Sequence, residues 1–167
     1  MSKKDFLQEI KTDSDSMTLT SILNWIDNNK VSIESKLEEC GAILFSNLPV
    51  EEEGDFDNFV SAFKYETFTY EESLSNAVRI NKTNKVFTAN EAPKEIEIFL
   101  HHEMAQTPTY PKNIFFFCKS ASLSGGQTPL CRSDHLYEEI LKEEEGLIDE
   151  FEKHGVIYNS LMSNGDE

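Results

Sequence analysis

The sequence predicts an α+β protein built around an antiparallel sheet. Three observations carry that prediction. Apolar residues repeat at i, i+3, i+4 and i+7 in two early stretches, first Leu19, Ile22, Leu23 and Ile26, then Phe56, Phe59, Val60 and Phe63. That spacing lines one face of a helix. Residues 41–48 and 113–118 are short apolar runs flanked by glycine or proline, with the length of strands. Helices and strands also fail to alternate in the regular βαβ order of a doubly wound parallel sheet.

Residues 1–17 are polar and mixed, and are expected to form a loose lead-in with at most a short helix. Residues 18–167 are expected to form the domain proper. A helix is predicted from Thr18, with Asn28 and Asn29 ending its first run. Ile33, Leu37 and Cys40 continue as a shorter helix, and Gly41 stands where a C-terminal cap belongs. Residues 41–48 read as a buried strand closed by Pro49. Asp55 can cap the next helix. Strand-like pieces are expected at 78–80 and 85–88. Residues 95–100 alternate polar and apolar and read as extended. Residues 113–118, with three consecutive phenylalanines, read as a strand buried on both faces. Ser124, Gly125 and Gly126 make a turn. Ser133 or Asp134 caps a last helix that breaks near Gly146 and resumes at Leu147. Residues 155–161 are a candidate final strand.

At 167 residues and 19.1 kDa the chain suits a single domain with a real core. Lys and Arg total 15 against 31 Asp and Glu, giving a net charge of −16. Such a surface repels phosphate backbones and anionic bilayers, so neither nucleic acid nor membrane is an expected partner. No apolar run is long enough to span a bilayer, and no apolar stretch follows the basic start at Lys3 and Lys4 as in a signal peptide. A cytoplasmic location is expected. Cys40, Cys118 and Cys131 are odd in number and widely spaced, which suggests buried or half-buried free thiols in a reducing compartment.

The sharpest chemical feature is Leu100, His101, His102, Glu103 and Met104. On extended backbone, residues two apart point to the same side, so His101 and Glu103 aim together. One imidazole and one carboxylate are two thirds of a facial triad for Fe(II). A solvated turn is the bland alternative for such a triplet.

The neighbourhood adds to that triplet. Gly41-Ala42-Ile43-Leu44-Phe45, Val86-Phe87-Thr88-Ala89-Asn90-Glu91, Leu100-His101-His102-Glu103-Met104, residues 111–118, Gly125-Gly126-Gln127-Thr128-Pro129 with Arg132, and Gly155-Val156-Ile157-Tyr158 occur in a shared order. In that order the chain resembles the TauD/TfdA-type Fe(II)/2-oxoglutarate-dependent dioxygenases. The closer likeness is to the branch with an HxE metal motif, the SyrP-like and clavaminate-synthase-like hydroxylases. The resemblance implies a double-stranded β-helix, the jelly-roll barrel of cupins, preceded by helices and incomplete at its C-terminus. It implies that His101 and Glu103 bind iron, and that Thr128 donates its hydroxyl to the distal carboxylate of 2-oxoglutarate. It implies oxidative decarboxylation of 2-oxoglutarate to succinate and carbon dioxide, coupled to hydroxylation of an amino acid or a carrier-bound amino acid. Catalytic acid–base and substrate-binding residues are not legible.

The family also uses a distal histidine and a distal arginine, both expected beyond the segment at 155–158. His135 reads as a surface helix residue, His154 as a helix end, and neither Arg79 nor Arg132 as the distal clamp. The expectation is thus the N-terminal portion of an oxygenase. Its open sheet edges would call for a second copy or a complementing chain. The competing expectation is a non-catalytic truncated relic or an acidic interaction module. The acidic runs at 51–53 and 143–145 lack the spacing of a calcium loop and read as solvated surface.

Overall fold

The computed structural model describes residues 6–12, 17–67, 79–89, 91–93, 95–144 and 146–159. The chain divides into two compact units, residues 1–128 and 129–167.

The first unit opens with a strand, β1 (Gln8–Lys11), inside the stretch expected to be a loose lead-in. Its single apolar residue, Ile10, gave no alternation to read. A long helix follows, α1 (Leu19–Cys40), and then a second strand, β2 (Ile43–Ser46). The strands pair in parallel, with Gln8 opposite Ile43 and Lys11 opposite Ser46. Thr12 reinforces the pairing through its hydroxyl, which donates to the Asn47 carbonyl at 2.5 Å. This β–α–β unit corrects the expectation of an antiparallel sheet for the N-terminal part, since a helical crossover delivers the second strand in the same direction.

Helix α1 begins with a reciprocal cap. The Ser21 amide donates to Thr18 Oγ1 at 3.2 Å, and the Thr18 amide donates to Ser21 Oγ at 3.0 Å. It does not stop at Asn28 and Asn29. Their side-chain amides donate back to the carbonyls of Asn24 and Trp25, both at 2.8 Å, so these residues sit within the helix rather than ending it. Gly41 ends it in the left-handed region at φ 83°, with its amide donating to Leu37 O at 2.7 Å. Helix α2 (Glu53–Ala62) follows. Asp55 serves its start from the third helical position, accepting the amides of Glu51 and Glu52 at 3.1 Å each.

The apolar stripes of α1 and α2 meet in the core. Ile22, Ile26, Ile33, Phe59 and Phe63 are buried there. Phe59 stands edge-on to Phe45 at 5.3 Å, so the inner face of β2 joins the core while Leu44 on its other face stays exposed. Residues 113–118 are not a strand among the described residues, and their burial alternates. Phe115 and Phe117 are half-buried against Phe63 and Phe56, at 5.2 and 5.3 Å, whereas Ile114, Phe116 and Cys118 are exposed. The expectation of burial on both faces fails because, among the described residues, α2 and the residues that follow it meet Phe115 and Phe117 while the alternate side chains stay exposed. Lys119 pins its end, donating to Glu52 at 2.6 Å and Glu53 at 3.0 Å. That ammonium helps hold the Glu53 carboxyl below its usual range, after the larger effect of a backbone hydrogen bond.

Residues 80–88 fold back on themselves through an antiparallel bridge between Asn81 and Phe87. Of the two strand-like pieces expected here, Val78 lies outside the described residues. Residues 95–100 form no strand among the described residues. Cys40 is buried as expected, but Cys118 and Cys131 are exposed.

The second unit holds α3 (Ser133–Glu143) and α4 (Leu147–His154), separated near Gly146 at φ 85°. Arg132, not Ser133 or Asp134, occupies the cap position of α3, while the Asp134 carboxylate accepts the His135 amide at 3.0 Å. Tyr137 on α3 donates to Glu152 on α4 at 3.0 Å. Residues 155–159 are not strand, and the rest of the expected final strand lies outside the described residues. The described elements amount to a two-stranded sheet and four helices, and a double-stranded β-helix is not among them. Among the described residues no helix is long and apolar enough to cross a membrane.

Candidate metal centre

The segment carrying His101 and Glu103 runs on irregular backbone from residue 97 and enters a turn at 103–106. Met104 fixes that turn. It is buried, takes φ 59°, and its carbonyl accepts both the amide and the hydroxyl of Thr107 at 3.0 Å. A positive φ is uncommon outside glycine, and here the buried Met104 adopts it next to Glu103.

The two side chains meet. His101 Nε2 lies 4.0 Å from Glu103 Oε2. His101 is 58% exposed and Glu103 16%. The other imidazole nitrogen, Nδ1, lies 2.7 Å from the carbonyl of Phe99. A carbonyl only accepts, so Nδ1 carries the proton and donates. In the neutral ring this leaves the Nε2 lone pair available, with Glu103 Oε2 4.0 Å away. Ligating histidines are commonly oriented by such a bond from the second nitrogen.

Glu103 is held from behind. Arg79 Nη2 donates to Glu103 Oε1 at 3.2 Å, and both side chains are 16% exposed. The same guanidinium donates through Nη1 to the carbonyl of Thr88 at 3.4 Å and to that of Ala89. No sequence pattern signals this contact, since 24 residues separate the pair.

The donor set can be tested against an iron ion. Two ligand atoms at right angles around a first-row divalent ion, each ~2 Å from it, stand ~3 Å apart. The observed 4.0 Å is wider than that by about 1 Å, so the pair would have to draw closer around an ion. Nitrogen plus carboxylate oxygen also suits Fe(II). The residues therefore fit two positions of such a site. Among the described residues, no group of three or more His, Cys, Asp or Glu is gathered to hold a metal.

Thr128 lies exposed two residues after Gly126; Gly125 and Gly126 take φ 70° and 74°, next to a bend at 123–124. No hydrogen bond among the described residues ties it to His101 or Glu103. In the second unit, Arg132 Nε donates to Asp134 at 2.8 Å and holds that carboxyl below its usual range. His154 is the last residue of α4 and faces Glu150 across one turn at 3.5 Å. His135 lies in the first turn of α3.

The likeness to known proteins extends well beyond the pair. Residues 4–163 match the family model of the taurine catabolism dioxygenase TauD, TfdA family. The chain belongs to that family, which implies a cupin-like fold. Among curated proteins, it is 33% identical over 151 residues to a clavaminate synthase-like protein of Arabidopsis thaliana. That match covers 90% of this chain and 45% of the plant protein. It is 31% identical over 133 residues to the dapdiamide synthesis protein DdaC of Enterobacter agglomerans, covering 80% of this chain and 39% of that protein. The chain thus spans less than half the length of these relatives.

Proposed function

We propose that this chain is the iron-binding portion of an Fe(II)/2-oxoglutarate-dependent hydroxylase, with His101 and Glu103 as two of the iron ligands. The observation that carries the reading is the approach of Nε2 and Oε2 to 4.0 Å, with Nδ1 committed to the Phe99 carbonyl. Membership of the TauD/TfdA family supports it. Iron, when bound, supplies the oxidising chemistry that couples decarboxylation of 2-oxoglutarate to hydroxylation of a second substrate.

The chain's own residues perform simpler tasks. His101 offers a neutral nitrogen whose orientation is set by Phe99. Glu103 offers one carboxylate oxygen and a negative charge that offsets the cation. Thr128 follows a glycine turn that presents its small hydroxyl, a competent donor to the distal carboxylate of 2-oxoglutarate. The co-substrate is 2-oxoglutarate, and the substrate class is an amino acid or a carrier-bound amino acid. That class is supported by the likeness to a dapdiamide synthesis protein.

Aerobic incubation of the chain with Fe(II), carboxyl-labelled 2-oxoglutarate and a panel of amino acids tests the activity. Release of labelled carbon dioxide with succinate, abolished in His101→Ala, is the expected result. No release above a metal-free control across the panel would favour a non-catalytic module instead.

A further inference from the structure

We propose that Arg79 is a positioning residue for the metal site, a guanidinium strap that fixes the Glu103 carboxylate with one oxygen turned towards the ion. The inference rests on the reading of His101 and Glu103 as ligands and adds to it a residue that is not itself a ligand.

Arg79 joins two fixed points. One is Glu103, through Nη2 and Oε1 at 3.2 Å. The other is the reversed segment 80–88, through Nη1 and the carbonyls of Thr88 and Ala89. That segment is itself firmly closed. The Lys82 amide donates to Val86 O at 2.8 Å, the Thr88 amide donates to Ile80 O at 3.0 Å, and the Ile80 amide donates to the Thr88 hydroxyl at 2.9 Å. The Thr83 hydroxyl accepts the amides of Lys85 and Val86, and Val86 is buried. The guanidinium therefore transmits the position of a closed turn to a carboxylate on another segment. A planar fork with five donors can hold a carboxylate and carbonyls together, and a lysine ammonium cannot reproduce that geometry.

The consequence for the site is specific. Oε1 accepts from Arg79 at 3.2 Å, while Oε2 faces His101 Nε2 at 4.0 Å. The carboxylate would then bind through one oxygen and take a single position on the ion. The opposing effect is repulsion between the guanidinium and a dication. The carboxylate lies between them and offsets much of it, and groups that orient a ligand typically contribute ~10–100-fold to metal affinity. Orientation is thus the larger effect, and removing Arg79 weakens binding.

Co(II) titration of the full 167-residue chain tests this, read by the visible ligand-field spectrum and by the dissociation constant. The wild-type chain binds Co(II), and binding disappears in His101→Ala. In Arg79→Ala, Co(II) binds ~10–100-fold more weakly with a shifted spectrum. Arg79→Lys keeps the charge, loses the bridge, and falls between the two. Should Arg79→Ala not fold, Arg79→Lys carries the test by itself. A purely structural role would lower the melting temperature and leave the affinity and spectrum of the folded chain as in the wild type. That outcome, or tighter binding, overturns the inference while the ligand reading stands. Co(II) binding that persists in His101→Ala overturns the ligand reading itself, and the strap falls with it.

Discussion

The segment that bears His101 and Glu103 is built unlike the scaffold that precedes it in the same unit. In the scaffold, α1, β2 and α2 bring five buried side chains together, from Ile22 to Phe63, and each is covered by several apolar neighbours. Beside His101, Phe99 is 73% exposed and Leu100 60%. What holds the site residues is polar and sparse: the Arg79 bridge, the Phe99 carbonyl and the Met104 turn. The difference separates two properties. Changes in the scaffold are expected to alter stability, and changes at the proposed metal site to alter metal affinity at little cost to the fold.

The largest expected effect lies in the scaffold. Phe59, only 4% exposed in the core, packs against Phe45 and Phe63 with ring centres 5.3 and 5.7 Å away. Phe59→Ala should destabilise the chain by about 3–5 kcal/mol in denaturant titration, through lost burial and a cavity. Under conditions where that variant is folded, its Co(II) affinity should match the wild type. A parallel loss of affinity would break the proposed separation.

A smaller effect is expected at Gly41. Its φ of 83° closes α1 and starts the approach to β2. Gly41→Ala should cost about 1–2 kcal/mol, because a β-carbon is strained in the left-handed region. Thermal melts check this, and no change would mean that the helix end had shifted.

Tyr65 gives a finer test, read against pH. Its hydroxyl donates to Glu34 at 2.9 Å, its ring packs on Phe63 and Phe115, and Lys30 lies 4.6 Å from its centre. Burial, and then the Glu34 carboxylate, push its pKa up to about 12. The folded state therefore holds the phenolic proton more tightly than the unfolded chain. The stability this contributes is present below about pH 10 and is lost as pH rises towards the folded value. Melts across that window should show the loss in the wild type, and Tyr65→Phe should remove this contribution.

The same contrast explains what was legible in the sequence. The helical stripes, the Gly41 cap and the break at Gly146 are local signals, and they stand in the structure where the sequence puts them. The Asn28–Asn29 stop failed because those side chains satisfy carbonyls one turn back, an option open to asparagine inside a helix. β1 carried no pattern, since its order comes from pairing with β2 across an intervening helix. Residues 95–100 and 113–118 carry strand-like sequences, but a strand requires a hydrogen-bonding neighbour, and periodicity does not supply one. At the site, the spacing of His101 and Glu103 was readable and the two do approach each other. Arg79 was not readable as their neighbour, because only the folded chain brings residue 79 to residue 103.

The most direct test of the account locates the metal on the chain. Mn(II) added to the isotope-labelled protein broadens the amide signals of residues close to the ion. The account predicts broadening centred on residues 99–105 and on Arg79, abolished in His101→Ala. Broadening confined to the acidic runs at 51–53 and 143–144, and indifferent to His101→Ala, would contradict it.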